Sequence, residues 1–447
     1  MNRELILKYN VPAPRYTSYP TVPFWKNNLT EENWKKSATS AFHSENKENG
    51  ISLYIHLPYC ESLCTYCGCN TRITVNHNVE KPYIETLLKE WKMYVKLFYE
   101  KPVISEIHLG GGTPAFFSAE NLHCLVSGIL ADSEIHTAHS FSFEAHPGNT
   151  TRQHLNTLFS LGFRRISIGV QDADEKILQA IHRKQTWQQV QSLAEDARKT
   201  GFTSVNFDIV YGLPFQNAET QKKLLEKIIS LHPERIAYYS YAHVPWIKKA
   251  QRSFTENDLP SAEIKMELYL LGKEMLLRKG YEDIGMDHFA LPADELSVAS
   301  KNKTLHRNFM GYTTTSSKLL IGLGVSAISD SWTAFKQNDK IIENWMEKIN
   351  AGKYSVQNGH LLTKHDLAIR KKILELMCRF ETDISSTEQN ELRVRMGKYV
   401  KDGLMEWAGS QIIVTEKGKQ FIRNICMELD DYLPRTENDR QLFSKAV

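Results

Sequence analysis

Short β-rich runs and longer amphipathic stretches alternate along most of the chain. The runs are ISLYIHLP from Ile51, VISEIHLGGG from Val103, SFSFEAHP from Ser140, FRRISIGVQ from Phe163, SVNFDIVYGLP from Ser204 and RIAYYSYAHV from Arg235. Most are rich in β-branched and aromatic residues and border on Gly, Pro, Asn or Ser, as strands do. Between them, apolar residues recur at helical spacing. In EKPYIETLLKEWKMYVKLF, the residues Tyr83, Leu87, Leu88, Trp91, Tyr94 and Val95 share one stripe. Six strand–helix units in succession predict an α/β fold with a parallel sheet and helices outside it. Six units are too few to close an eight-stranded barrel, so an open, partial (β/α)6 TIM-like barrel is expected. Glu144, Gln171 and Asp208 each fall late in a strand pattern, as do His56 and the glycines at 110–112. In a βα-barrel those positions share one mouth, where chemistry collects.

The pattern changes at both ends. Residues 1–50 form an arm and lead-in, 51–358 the barrel, and 359–447 a small, mainly helical C-terminal domain. In that last domain LLTKHDLAIRKKILELMCRF opens with Thr363 as a helix N-cap. KYVKDGLMEWAGSQIIVTEKGKQFIRNICMEL then reads as helix, hairpin around Ala408-Gly409-Ser410, and helix. The pattern has a winged-helix flavour, but its mixed charges favour a lid or scaffold without nucleic-acid contact. In the arm, VPAPRYTSYPTVPFW packs four prolines and four aromatic residues into fifteen positions and cannot be regular helix. Two readings stand open for it. It packs on the main domain, or Arg15 and the aromatic rings close over a flat, acidic ligand.

Composition narrows the class. The 447 residues are 41% hydrophobic and 24% charged, ordinary for a globular chain large enough to bury a substantial core. A net charge of +3, from 55 basic and 52 acidic residues, is too balanced to argue for nucleic-acid or membrane-surface partners, and none is expected. Arg370-Lys371-Lys372 reads as a solvated helix face. No apolar run approaches the ~18 residues of a membrane span. The opening MNRELILKYN lacks a signal-peptide pattern, so a cytoplasmic location is expected. Cys124, Cys378 and Cys426 lie scattered in apolar helical stretches and read as small core residues.

The other four cysteines are Cys60, Cys64, Cys67 and Cys69, all inside PYCESLCTYCGCN. An odd count of seven in a cytosolic chain argues against disulfides. Zinc sites usually pair two knuckles across a longer loop, and no second knuckle follows here. Three thiolates on one loop can instead hold three irons of a cubane and leave the fourth open to a ligand. Cys69 could be a fourth ligand, although the single residue after Cys67 makes it awkward for the same cluster. Gly110 to Pro114, GGGTP, ends the second strand pattern. No Lys-Ser/Thr follows it, so a nucleotide P-loop is not indicated.

The Cys-x3-Cys-x2-Cys spacing just after a strand, with Tyr66 before the last cysteine, resembles the radical S-adenosylmethionine enzymes. Nearly the whole chain is similar to the family of oxygen-independent coproporphyrinogen III oxidases, also called dehydrogenases. The stretches that carry this are PRYTSYPT, LYIHLPYCESLCTYCGCN, GGGTP, GVQD, DIVYGLP, YAHVP, GMDHFA, LHRNFMGYTT and GLGVSAIS. The resemblance implies oxidative decarboxylation of two propionates of coproporphyrinogen III to vinyl groups, giving protoporphyrinogen IX in anaerobic heme biosynthesis. It implies one [4Fe–4S] cluster on Cys60, Cys64 and Cys67, and two molecules of S-adenosylmethionine. Tyr54, Gly111 and Glu144 would contact the cluster-bound molecule. Tyr66, Cys69, Gly112, Thr113, Gln171, Arg183, Asp208, Ala242 and Ile328 would contact the second.

No catalytic side chain is implied beyond Cys69 and Tyr54 as nearest candidates, because the adenosyl group carries the radical. An electron donor and acceptor are implied but unnamed, and a monomer is expected. His56 is either a hydrogen-bond partner of the cluster region or a satisfied strand histidine. Two positions depart from the family pattern: His146 stands where an acid is common, and Met310 where a polar residue is common. A related heme-binding, chaperone-like protein of the same superfamily is the alternative. It usually lacks the fourth cysteine and the PRYTSYP arm, and both are present here.

The spacing argument makes Cys64→Ala abolish the iron–sulfur absorbance of anaerobically purified protein. Cys69→Ser keeps the absorbance and loses turnover. Equal loss of cluster in both variants would make Cys69 a ligand.

Overall fold

The structure, a computed structural model, describes residues 3–245, 249–434 and 443. Residues 1, 2, 435–442 and 444–447 of the expected arm and C-terminal domain lie outside them. The six expected strands form in order: β1 (Ile51–Leu57), β2 (Val103–Gly111), β3 (Glu134–Ala145), β4 (Arg165–Gln171), β5 (Ser204–Tyr211) and β6 (Arg235–Ser240). They pair in parallel as consecutive neighbours. Helices Glu80–Phe98, Ala119–Ala131, Arg152–Ser160, Trp187–Thr200 and Ala218–Ser230 cross between them.

Those helices form for readable reasons. Ser118, Thr151, Thr186 and Asn217 cap their N-termini by accepting backbone N–H groups. In the first helix Tyr83, Leu87, Trp91 and Tyr94 are fully buried against the sheet, with Leu88 and Val95 at the edge of the stripe.

The sheet is larger than expected. After β6 come β7 (Glu282–Gly285) and β8 (His288–Ala290), then β9 (Leu320–Leu323), β10 (Ile328–Asp330), β11 (Ala334–Gln337) and β12 (Asn358–Leu361). The twelve strands run in the order β12-β11-β10-β9-β1-β2-β3-β4-β5-β6-β8-β7. Strand β9 is a seventh parallel member beside β1, while β10–β12 and β7–β8 extend the two sides antiparallel. The barrel stays open between β12 and β7. The added strands are three or four residues long, too short to show a period-two signal. β12 pairs with β11 as far as Leu361, so the large sheet runs past residue 358.

The C-terminal domain has helices Lys364–Arg379 and Ser386–Lys401, then the expected hairpin β14 (Met405–Ala408) and β15 (Gln411–Val414), with a further strand β13 (Glu381–Asp383) on the other side of β15. Thr363 is the N-cap, accepting from Asp366 N–H. The arm does not simply lie on the barrel. Leu5, Tyr9, Ala13, Tyr16 and Tyr19 share one buried core with Ile373, Met377, Phe421 and Ile425 of the C-terminal domain. Asn424 Nδ2 donates to the Tyr9 carbonyl at 2.9 Å, and Arg423 Nε to that of Pro14 at 3.0 Å. The arm also reaches the large sheet: Arg15 lies 5.5 Å from the Tyr239 ring centroid on β6 and pairs with Asp287 at 3.2 Å, and Trp25 stacks on Phe335 at 5.4 Å between ring centroids.

Two smaller expectations fail. Cys124 is exposed, on the outer side of its helix, while Cys378 and Cys426 are buried as expected. The basic triplet is not a solvated face. Only Lys371 is exposed. Lys372 is half-buried and bonds both Glu388 oxygens. Arg370 is buried and forks onto Asp330 of β10, with its Nη1 also donating to the Trp332 carbonyl at 2.8 Å. Its guanidinium lies 4.3 Å from the Trp332 ring centroid. Helical periodicity alone could not separate a charge that faces solvent from one that faces a second domain.

Removing Arg370 leaves Asp330 buried and unpaired. Arg370→Ala is expected to cost about 3–5 kcal/mol, read as a lower denaturant midpoint, whereas Lys371→Ala stays within about 0.5 kcal/mol.

Candidate functional site

The loop after β1 carries the four cysteines, and its path is fixed by backbone bonds to the glycine segment. Gly112 N–H donates to Leu57 O at 2.8 Å, and Thr113 N–H to Tyr59 O at 3.0 Å. The β1–β2 ladder thus continues past the strand ends into both loops. Only glycine fits there. A Cβ on Gly112 would sit 2.7 Å from the Pro58 carbonyl carbon, and one on Gly111, whose φ is +109°, would overlap the His56 ring.

Above this seam opens a cleft of about 520 Å³. Cys60, Cys64, Cys67, Tyr66, Cys69, Gly111, Gly112, Thr113, Glu144, Gln171, Arg183 and Asp208 line it, together with His146. Three of the sequence candidates lie elsewhere. Tyr54 sits beside it on β1, with its hydroxyl 2.9 Å from His56 Nδ1. Ala242 follows β6, its carbonyl accepting from Gln251 Nε2 at 3.1 Å. Ile328 is on β10, paired with Gln337. Gln337 lines a second, adjoining cleft of about 640 Å³ on the other flank of the cysteine loop, which Cys67 and Cys69 share. Met310 lines neither cleft.

The cleft walls are built from strand ends. Glu144, near the end of β3, accepts the Gly111 N–H at 3.1 Å and lies 3.5 Å from His108 Nε2. Burial works to raise its pKa, but the hydrogen bond and charge of His108 and the Gly111 N–H outweigh it and hold the carboxyl below its usual range. Asp208 on β5 accepts from Ser167 Oγ at 2.7 Å and Asn206 Nδ2 at 2.9 Å. Burial dominates there, and with the nearby Glu144 charge it pushes Asp208 up to about 6. The two acids are therefore differentiated: at neutral pH Glu144 is fully ionised, and Asp208 is the readier to hold a proton. Gln171 ends β4 in the left-handed region, at φ +65°.

His56 is buried with both ring nitrogens engaged, Nδ1 to Tyr54 and Nε2 to the Asn70 carbonyl at 2.8 Å. It joins the first strand to the far end of the cysteine loop, so the two readings left open for it are both true. His108, Ser167 and Asn206 escaped the sequence reading. Asn206 sits in strand phase with Asp208, two residues before it, and His108 with Gly110, and that alternation was the available signal.

The donor set fits an iron–sulfur cluster. Three soft thiols on one loop open onto the cleft, the ligand type that iron–sulfur clusters take. Cys60 Sγ lies 3.4 Å from Thr113 Oγ1. Burial pushes this thiol up to about 11 against the pull of that hydrogen bond. Metal ligation has to overcome that cost by displacing the proton.

An open barrel with such a loop after its first strand defines the class of radical S-adenosylmethionine proteins. Residues 54–228 match the family model described as the Radical SAM superfamily. The chain is 36% identical over 454 residues to the oxygen-independent coproporphyrinogen III oxidase of Salmonella typhimurium, covering 99% of this chain and 98% of that one. It is also 36% identical over 461 residues to the Helicobacter pylori enzyme of the same name, covering 99% of each. A solved structure of coproporphyrinogen III oxidase from Escherichia coli, titled a radical SAM enzyme, superposes with a TM-score of 0.89 at 33% identity over 97% of this chain and 99% of that one. The chain belongs to the oxygen-independent coproporphyrinogen III oxidase family.

The glycine seam yields a direct test. Gly111→Ala must both adopt a left-handed φ and displace His56, at a cost of about 1–3 kcal/mol. Gly68→Ala, where a Cβ meets nothing within 4 Å, leaves the denaturation midpoint within about 0.5 kcal/mol of the parent.

Proposed function

We propose that this chain converts two propionate side chains of coproporphyrinogen III to vinyl groups, giving protoporphyrinogen IX. The observation that carries the reading is the end-to-end match to named oxidases combined with one cleft that gathers the three thiols and the strand-end acids. In this reading Cys60, Cys64 and Cys67 hold a [4Fe–4S] cluster. Tyr54, Gly111 and Glu144 serve the S-adenosylmethionine bound to it. Tyr66, Cys69, Gly112, Thr113, Gln171, Arg183, Asp208, Ala242 and Ile328 serve a second. Together these groups, when bound, supply a hydrogen-abstracting 5′-deoxyadenosyl species by reductive cleavage of a sulfonium bond. Residues 1–50, 51–358 and 359–447 act as arm, catalytic barrel and C-terminal domain.

The protein's own contribution is binding, charge placement and exclusion of water. Glu144, kept ionised by His108 and Gly111, accepts hydrogen bonds from an ammonium or ribose group. Asp208 faces the same space, where a carboxylate can balance a sulfonium charge. Arg183 is fixed by bonds from Nε to Gln185 Oε1 at 2.8 Å and from Nη2 to the Gly169 carbonyl at 2.5 Å, so it presents a pre-set fork to a carboxylate. For each vinyl group formed, the propionate loses a hydrogen atom from its β-carbon, carbon dioxide and one electron. That electron needs an external acceptor, and an external donor must prime the cluster. A cytoplasmic, reducing setting suits this chemistry. Among the described residues no helix is long and apolar enough to cross a membrane.

Reconstituted protein given coproporphyrinogen III, S-adenosylmethionine and a reductant without oxygen is expected to accumulate protoporphyrinogen IX and release 5′-deoxyadenosine. Tight heme binding with no release of 5′-deoxyadenosine would identify a porphyrin carrier instead.

A further inference from the structure

The main cleft holds a second polar grouping, two cations and a neutral donor, across from Glu144 and Asp208. It consists of Arg183, Lys184 and His146, all lining the same space. Nothing in the proposed reaction has so far used His146. The residue follows β3 at the turn His146-Pro147-Gly148, and its ring is pinned by that turn: Gly148 N–H donates to His146 Nδ1 at 3.0 Å. A backbone N–H can only donate, so Nδ1 is the acceptor and Nε2 carries the proton. Burial, then the positive charge of Arg183, pulls the imidazole pKa down to about 3, so the ring is neutral at working pH. Arg183, for its part, spends Nε and Nη2 on Gln185 and Gly169, and its Nη1 reaches only the Cys64 sulfur at 3.9 Å. Arg183 and His146 thus line one space, one side chain permanently charged and the other a neutral N–H donor. An oxyanion satisfies both, whereas a cation would meet Arg183 and Lys184 unfavourably.

Resting on the reading of this cleft as the S-adenosylmethionine site, we propose that His146, donating through Nε2–H, completes with Arg183 a binding pair for a carboxylate. That carboxylate belongs either to the amino-acid end of S-adenosylmethionine or to a propionate of the porphyrinogen. Because the histidine is neutral, it adds a directional hydrogen bond without adding charge to a cleft that already holds Arg183 and Lys184.

Calorimetric titration of anaerobic, cluster-loaded protein tests this without turnover. The ligands are S-adenosylmethionine, its decarboxylated analogue, and coproporphyrinogen III in the absence of reductant. His146→Leu is expected to weaken one carboxylate ligand about tenfold, the worth of a hydrogen bond to a charged group. His146→Glu weakens it further. Neither variant alters affinity for the decarboxylated analogue. A response confined to S-adenosylmethionine assigns the carboxylate to the cofactor, and one confined to coproporphyrinogen III assigns it to a propionate. Unchanged affinity for both ligands in His146→Leu, or parental affinity in His146→Glu, overturns the pair. In the unmutated protein, imidazole nitrogen-15 shifts must place the proton on Nε2. A proton on Nδ1 overturns the proposal independently of how the variants fold. Absent turnover with these binding effects intact would count against the proposed reaction and leave the carboxylate pair standing.

Discussion

Two backbone hydrogen bonds, from Gly112 to Leu57 and from Thr113 to Tyr59, determine where everything else in the cleft can be. They zip the glycine segment against the start of the cysteine loop at a distance that excludes any side chain. The loop that carries three thiols is therefore set by strand register rather than by its own weak local preferences. Glu144 reads the same register from the next strand through its bond to Gly111 N–H. His56, packed against Gly111, ties in the far end of the loop at Asn70. Loop thiols, glycine segment and acid are thus held to one another through a sheet that is rigid on the scale of the chemistry.

Around that seam the protein separates charge by environment. Glu144 has a histidine and a backbone N–H and stays ionised, while Asp208 has only neutral donors and is pushed towards protonation. Arg183, Lys184 and His146 supply the complementary side of the cleft. A zwitterionic ligand with an ammonium, a sulfonium and a carboxylate would meet a group of opposite sign for each. The permanent charges are few, and most polar groups are pre-bonded to the backbone, so little reorganisation is needed when a ligand arrives.

How much of this was legible depends on strand length and on sequence distance. The six long strands and the Thr363 cap were visible because β-rich composition and capping chemistry act locally. The cysteine spacing and the strand-end acids pointed to one mouth for the same reason. The strands after residue 280 were missed because segments such as Ile328–Asp330 are too short to alternate, and pairing with neighbours makes them strands. Arg370 was misread because its partner Asp330 lies forty residues away on another domain. Cys124 was misread because one residue on a helix can face either way when its flanks are apolar on both sides. His108 had a visible position and an invisible role, since only the fold brings it to Glu144.

The buried core shared by the arm and the C-terminal domain has a consequence for the order of events at the ribosome. Tyr9, Tyr16 and Tyr19 are made well before the barrel, and Phe421, Ile425 and Cys426, which enclose them, after it. Loop-closure entropy across some four hundred residues has to be met before that core rewards it. The barrel can assemble as its strands emerge, but Tyr9, Tyr16 and Tyr19 must stay unsatisfied until Phe421 and Ile425 have been made. Docking of the arm on the C-terminal domain thus follows assembly of the barrel between them.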